Sequence, residues 1–115
     1  MLFLEYPACI TCRKAKKWLE ENNLLFEDRH IKQNPPTKEE LSSWQKKSGL
    51  PLRRFFNTSG QLYKSLNLKE RLDDMSEEEQ LTLLASDGML VKRPLLIGED
   101  FVFVGFKSAE WSALL

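Results

Sequence analysis

Leu2-Phe3-Leu4-Glu5-Tyr6-Pro7-Ala8-Cys9-Ile10-Thr11-Cys12-Arg13-Lys14-Ala15-Lys16-Lys17-Trp18-Leu19 runs from a strand pattern through a cysteine pair into a helix pattern, and the architecture of the chain follows from that order. Leu2 to Tyr6 is a short apolar run closed by Pro7, the pattern of a buried strand. Ala15, Trp18 and Leu19 then recur at helical spacing, with Arg13, Lys14, Lys16 and Lys17 on the opposite face, and Asn22-Asn23 ends the helix. At the turn between strand and helix stand Cys9 and Cys12, the only cysteines of the chain. The helix points its free N–H groups and the positive end of its dipole at the first sulfur, which favours thiolate over thiol. Cys9 is therefore the candidate nucleophile and Cys12 its partner. The same spacing is open to two structural readings, a buried pair or half of a zinc site. Zinc takes four ligands, and the chain adds only the distant His30, so no complete intrachain metal site is expected.

Outward from this unit, Leu24 to Ile31 reads as a second strand, giving a β-α-β start. Asn34-Pro35-Pro36 breaks the chain, and Thr37 with Glu40 forms a capping box for a helix that turns Leu41 and Trp44 inward and stops at Gly49. Leu50 to Phe56 reads as a short helical turn entered at Pro51. The loop Asn57 to Gly60 follows, and then a helix carrying Leu62, Tyr63 and Leu66. Ser76 with Glu79 repeats the capping box before Leu81, Leu84 and Ala85, and Asp87-Gly88 closes that helix. Leu95 to Ile97 and Phe101 to Val104 are two apolar strands joined by Gly98-Glu99-Asp100, a hairpin signal, and Trp111 with Leu114 marks a final short helix. Two strands, a helical block, then a hairpin and a helix predict an α/β fold: one domain over residues 1–115, with a mixed sheet flanked by helices.

A chain of 115 residues with 42% hydrophobic content can bury a core without disulfide staples. Lysine plus arginine balances aspartate plus glutamate at seventeen each, so no long-range field draws the protein to nucleic acid or to an anionic membrane. No apolar run approaches the roughly 18 residues of a membrane span, and the N-terminus lacks the basic and long apolar regions of a secretion signal. The expected location is the cytoplasm, where a dithiol stays mostly reduced.

Three further features bear on chemistry. Arg13 lies within a turn of the cysteines, where a cation can stabilise a thiolate or an anionic substrate, or simply continue the solvated face that runs to Lys17. Arg93-Pro94 directly precedes a strand. The proline is either a tolerated edge residue or a cis bond that places the arginine opposite the dithiol. His30 and the aromatics Trp18, Trp44, Phe55, Phe56, Phe103 and Trp111 are read as structural.

Tyr6-Pro7-Ala8-Cys9-Ile10-Thr11-Cys12-Arg13-Lys14-Ala15, together with Lys92-Arg93-Pro94-Leu95, resembles the arsenate reductase (ArsC) and Spx/MgsR family of thioredoxin-like proteins. The likeness extends over essentially the whole chain. It implies a thioredoxin-like sheet with a helical insertion between the second and third strands, at about residues 34–88, and a cis proline at Pro94. It also implies that Cys9 attacks, that Arg93 binds the oxyanion or the reacting sulfur, and that Thr11, Pro94, Asn57 and Arg13 surround the substrate. The glutaredoxin-coupled arsenate reductases have serine where this chain has Cys12. Of their three arsenate-binding arginines only Arg93 matches: Asn57 takes the second position, with Arg53 and Arg54 upstream, and the third falls near Phe106-Lys107. Their histidine before the active-site loop corresponds to Glu5.

The expected activity is thiol–disulfide chemistry on a disulfide or an arsenate-like oxyanion. It needs no organic cofactor, only an external reductant such as glutaredoxin, thioredoxin or a low-molecular-weight thiol. The alternative implied by the resemblance is a redox-switched regulator that binds RNA polymerase.

Overall fold

Leu2–Glu5 (β1) lies in the middle of the sheet because it is apolar on both faces, with Phe3 and Leu4 fully buried on opposite sides. In a computed structural model covering residues 1–115, β1 pairs in parallel with Glu27–His30 (β2) and antiparallel with Leu95–Ile97 (β3). β3 pairs antiparallel with Val102–Val104 (β4), so the strand order is β2-β1-β3-β4. Helix Ile10–Glu21 (α1) covers one face, where Phe3, Ala15, Leu19, Leu96 and Trp111 form a small fully buried core. Trp111 belongs to the short closing helix Ser108–Trp111 (α6). Its indole N–H finds no oxygen acceptor and lies among Trp18, Phe103 and Phe106, the last of these edge-on with ring centres 4.8 Å apart.

The opposite face carries the larger core, in which Leu4, Leu95 and Ile97 of the sheet meet the helical insertion. The insertion runs through Lys38–Ser48 (α2), a 3-10 turn at Leu52–Phe55, Gln61–Ser65 (α3), Leu68–Arg71 (α4), Glu77–Ser86 (α5) and a 3-10 turn at Gly88–Leu90. Both predicted capping boxes are present, Thr37 with Glu40 and Ser76 with Glu79, and Gly49 ends α2 in the left-handed conformation at φ 70°. This is the mixed, thioredoxin-like sheet with an insertion between its second and third strands.

Several boundaries differ from the sequence reading. The second strand begins at Glu27 and not at Leu24, because its parallel partner β1 starts at Leu2 and nothing earlier is available to pair. Leu24 and Phe26 pack as half-buried side chains against the smaller core. β4 likewise starts at Val102, since Phe101 spends its carbonyl on the Gly98 turn. The 62–66 segment is split: α3 ends at Ser65, Asn67 takes a left-handed conformation at φ 55°, and the unpredicted α4 follows. Asp87 caps the next 3-10 turn through Met89 N–H, at 2.8 Å, and does not merely end α5. Trp18 and Phe103 are half-buried, since each lies at the margin of the smaller core.

Three connections fix the insertion over the carboxyl end of β1. Arg29 of β2 grips Glu40 of α2 with two bonds of 2.7 and 2.9 Å and also donates to the carbonyls of Asn34 and Pro35. Gly88 sits so close to the end of β2 that a Cβ there would lie 1.9 Å from the Ile31 carbonyl, so only glycine permits this approach. Phe55 to Asn57 is laced to Leu90 to Lys92 by two backbone bonds of 2.8 Å, from Asn57 N–H to Leu90 O and from Lys92 N–H to Phe55 O.

The Arg29 grip is a paired, partly buried charge, so cutting it leaves Glu40 with only the Thr37 cap. Arg29→Met is expected to lower unfolding free energy in urea by about 1–3 kcal/mol. A double-mutant cycle with Glu40→Gln should return a coupling of about 1 kcal/mol or more, and additive losses would show that the pair does not anchor the insertion.

Candidate active site

The turn from β1 into α1 gives the two sulfurs different surroundings. Cys9 is the N-cap residue of α1, with extended backbone at φ −79° and ψ 123°, and its own N–H is tied to the Tyr6 carbonyl at 2.9 Å. Its side chain is half-buried and faces a cavity, whereas Cys12, one turn into the helix, has no exposed surface. Both are free thiols.

Burial opposes ionisation of Cys9, but it is outweighed. The Cys12 N–H and thiol donate to the Cys9 sulfur, the Arg93 guanidinium adds positive charge, and the Thr11 N–H donates as well, so the Cys9 thiol falls below its ordinary value. Cys12 is pushed up to about 12, first by burial and then by its bond and charge contact with Cys9, against a lowering contribution from the Tyr6 N–H. One sulfur is thus eased toward the thiolate, and the other is held protonated as a donor to it.

Opposite Cys9 stands Arg93. The Arg93-Pro94 peptide bond is cis. The guanidinium lies 5.4 Å from the centre of the Tyr6 ring, donates through Nη1 to the Met89 carbonyl at 3.4 Å, and leaves a buried Nε without a partner. An arginine held by a ring and one long bond, with a donor unspent, is placed to accept an anion or a polarised sulfur.

Cys9, Thr11, Asn57 and Arg93 all line one cavity of about 730 Å³. Pro94 is buried behind this lining, and its contribution is backbone geometry. Arg13 is a correction: it is exposed on the outer side of α1 and takes no part in the cavity, because one residue past Cys12 the helix has already turned its side chain away. Arg53 and Arg54 do not replace the Asn57 position. Arg53 bonds Asp73 at 2.8 Å beside a different hollow, and Arg54 is exposed. Lys107 is also outside the cavity. The cations that do join Arg93 are Lys32 and Lys92, which the sequence reading passed over. Lys32 follows the end of β2, and the ends of parallel strands are where α/β sheets gather ligand contacts. That rule, applied at the strand end, was the available signal.

Glu5 is the other residue whose place only the structure reveals. In the apolar first strand it is a buried carboxyl, 4% exposed, facing α1. Lys16 reaches Asp28 at 2.8 Å and Glu5 at 3.6 Å. Burial first, and then the bond and charge of Asp28, raise Glu5 to about 7, while Lys16 acts in the lowering direction. No three His, Cys, Asp or Glu side chains converge as a metal-ligand set.

The chain belongs to the ArsC family, whose profile matches residues 4–114. It is similar to a solved ArsC-family-related protein from Bacteroides fragilis, at 58% identity and a TM-score of 0.97, covering 99% of this chain and 96% of that one. A solved protein from Streptococcus mutans, titled a possible arsenate reductase, is 44% identical with a TM-score of 0.91, covering 99% and 97%. The regulatory protein MgsR of Bacillus subtilis is 32% identical over 110 residues, 96% of this chain and 86% of MgsR.

Alkylation of Cys9 by iodoacetamide, followed against pH, should show a midpoint below the free-thiol value of about 8.5, and Cys12 should stay unreactive until the chain unfolds. A Cys9 midpoint at or above the free value contradicts the electrostatics described. The raised Glu5 carboxyl binds its proton more tightly in the folded chain than in the unfolded one. Its stabilising contribution is therefore complete below about pH 4.5 and is lost as pH rises through about 7. Measured by urea unfolding, the wild type should lose up to about 3 kcal/mol more than Glu5→Gln across that window. Parallel curves for the two proteins would remove Glu5 as the source.

Proposed function

We propose that this protein is a thiol–disulfide oxidoreductase in which Cys9 attacks and Cys12 resolves. The observation that carries this reading is the placement of two neighbouring sulfurs, Cys9 half-buried at the helix N-cap on the cavity wall that also holds Arg93, and Cys12 fully buried one turn inside. The Cys9 thiolate attacks one sulfur of a disulfide, forming a Cys9 mixed disulfide and releasing the other sulfur as a thiolate. Cys12 then attacks Cys9, closing the Cys9–Cys12 disulfide and releasing the second half of the substrate, which leaves with the Cys12 proton. Substrate gains two electrons and the dithiol loses them. Once Cys9 is in a mixed disulfide it no longer carries charge, so the part of the Cys12 elevation owed to it is relieved.

A cellular thiol system, whether glutaredoxin, thioredoxin or a small thiol, would restore the dithiol, and no organic cofactor or metal enters the cycle. Such chemistry suits the cytoplasm, where that reductant is available. Arsenate is a secondary substrate in this reading. Arg93 is the sole arginine lining the cavity, and each charged hydrogen bond missing from an oxyanion site costs about 1.5–3 kcal/mol. The likeness to MgsR supports a second reading, a redox-switched regulator that contacts RNA polymerase. No direct nucleic-acid contact and no membrane attachment form part of either, and no helix of the chain is long and apolar enough to cross a membrane.

The test is the fate of each sulfur after treatment with glutathione disulfide, read by mass spectrometry. Wild type should give an internal Cys9–Cys12 disulfide, Cys12→Ser a lasting adduct on Cys9, and Cys9→Ser no reaction. An adduct chiefly on Cys12 reverses the roles, and inertness of every form returns the pair to a structural one. Repeated turnover with a thiol reductant supports the enzyme. Capture of polymerase by the oxidised form, without turnover, supports the regulator.

A further inference from the structure

The wall of the cavity in front of Cys9 carries an excess of cations. The chain as a whole is neutral, with seventeen basic and seventeen acidic residues, yet the cavity wall holds Lys32, Lys92 and Arg93 against one acid, Asp87. That acid is already engaged, since its Oδ1 accepts the Met89 N–H at 2.8 Å. The five ion pairs of the molecule use Lys16, Arg29, Lys38 and Arg53, so none of the three cavity cations is neutralised by a carboxylate. They also come from separate segments, Lys32 from the end of β2 and the other two from the approach to β3, so their convergence is a product of the fold.

The shape of the cavity narrows the class of ligand. Its volume of about 730 Å³ lies in the usual range for small-molecule sites, about 300–1,000 Å³. The wall is built by the dithiol turn on one side and by the Asn57–Leu62 loop and the 87–93 segment on the others, with Leu62 and Met89 offering apolar surface. A small aliphatic disulfide fits that mixture: its sulfur meets Cys9, its methylenes meet Leu62 and Met89, and an anionic end meets the lysines.

The geometry points to a low-molecular-weight disulfide bearing carboxylate groups as the substrate, with Lys32 and Lys92 as the residues that select it. The inference rests on the oxidoreductase reading and adds the substrate class. Cys9 thiolate attacks the disulfide R–S–S–R, giving Cys9–S–S–R and R–S⁻, and the carboxylate of the bound R group is attracted by the ammonium groups of Lys32 and Lys92. Cys12 then completes the internal disulfide and the second R–SH departs, so two electrons pass from the dithiol to the substrate. The lysines touch neither sulfur. They set which disulfide is held, through an attraction that salt screens.

Three reagents of one reactive type test this: 3,3′-dithiodipropionate, which is dianionic, 2-hydroxyethyl disulfide, which is neutral, and cystamine, which is dicationic. Rates of loss of the free Cys9 thiol are measured for wild type and for Lys32→Gln, Lys92→Gln and the double variant. Each single change should slow the dianionic reagent about fivefold, the factor that corresponds to ~1 kcal/mol for a partly exposed charge pair. The double variant should slow it more, leave the neutral reagent within twofold, and speed cystamine. The wild-type advantage for the dianion should also shrink between 20 mM and 500 mM salt. Equal effects of the variants on all three reagents would mean that the lysines act on Cys9 reactivity alone, which overturns the selection role. Faster reduction of the disulfides of insulin than of the dianion would overturn the small-molecule assignment. Failure of all reagents to react with Cys9 would instead overturn the oxidoreductase reading beneath it.

Discussion

The structure depends on one packing event, the docking of α1 on the face of β1 that carries Phe3 and Glu5. Ala15 and Leu19 enter the core against Phe3, and the same helical face carries Cys12 inward to complete burial. Cys9, at the N-cap, stays at the surface of the cavity because the helix has not yet begun to turn it in. The chemical difference between the sulfurs follows from this geometry. The burial of Glu5 is a cost of the same contact: the face that takes Cys12 also takes a carboxyl, which Asp28 and Lys16 hold between helix and sheet.

The helical insertion turns a strand-to-helix corner into a cavity. Neither β1 nor α1 supplies a wall opposite Cys9; Asn57, Leu62, Met89 and Arg93 do, and all lie within or just after the insertion. Their positions depend on the Arg29–Glu40 grip at one end and on the Phe55–Asn57 and Leu90–Lys92 lacing at the other. Arg93 is further restrained by the Tyr6 ring, itself packed edge-on against His30 at 5.7 Å between ring centres. His30 has the structural role expected of it: its Nδ1 accepts from the N–H groups of Lys32 and Gln33, at 3.2 Å each, which shapes the turn that presents Lys32.

Membership in the ArsC family accounts for the fold, and of the departures from the expected arsenate-reductase pattern Asn57 is the one that lines the cavity. Asparagine stands at one expected arginine position, Lys107 lies outside the cavity near another, and a second sulfur stands where those enzymes have serine. The cations of the cavity are one forked guanidinium, Arg93, and two ammonium groups, Lys32 and Lys92, which act as point charges.

Features under the control of local chemistry are legible in the amino-acid order. The Cys9–Cys12 spacing at a helix start, both capping boxes, the glycine stop at Gly49 and the Leu95–Val104 hairpin are set by neighbours a few residues apart, and each reads correctly from composition and period. Features that join residues from distant parts of the chain are set by packing. That Arg13 is exposed while Lys32 and Lys92 reach the cavity depends on how α1 rotates and where β2 ends. That Glu5 is buried and α4 exists depends on packing that no local pattern encodes. A side chain's charge is written in the sequence, but whether water or a neighbouring charge surrounds it is set by segments distant along the chain, and that surrounding decides its chemistry.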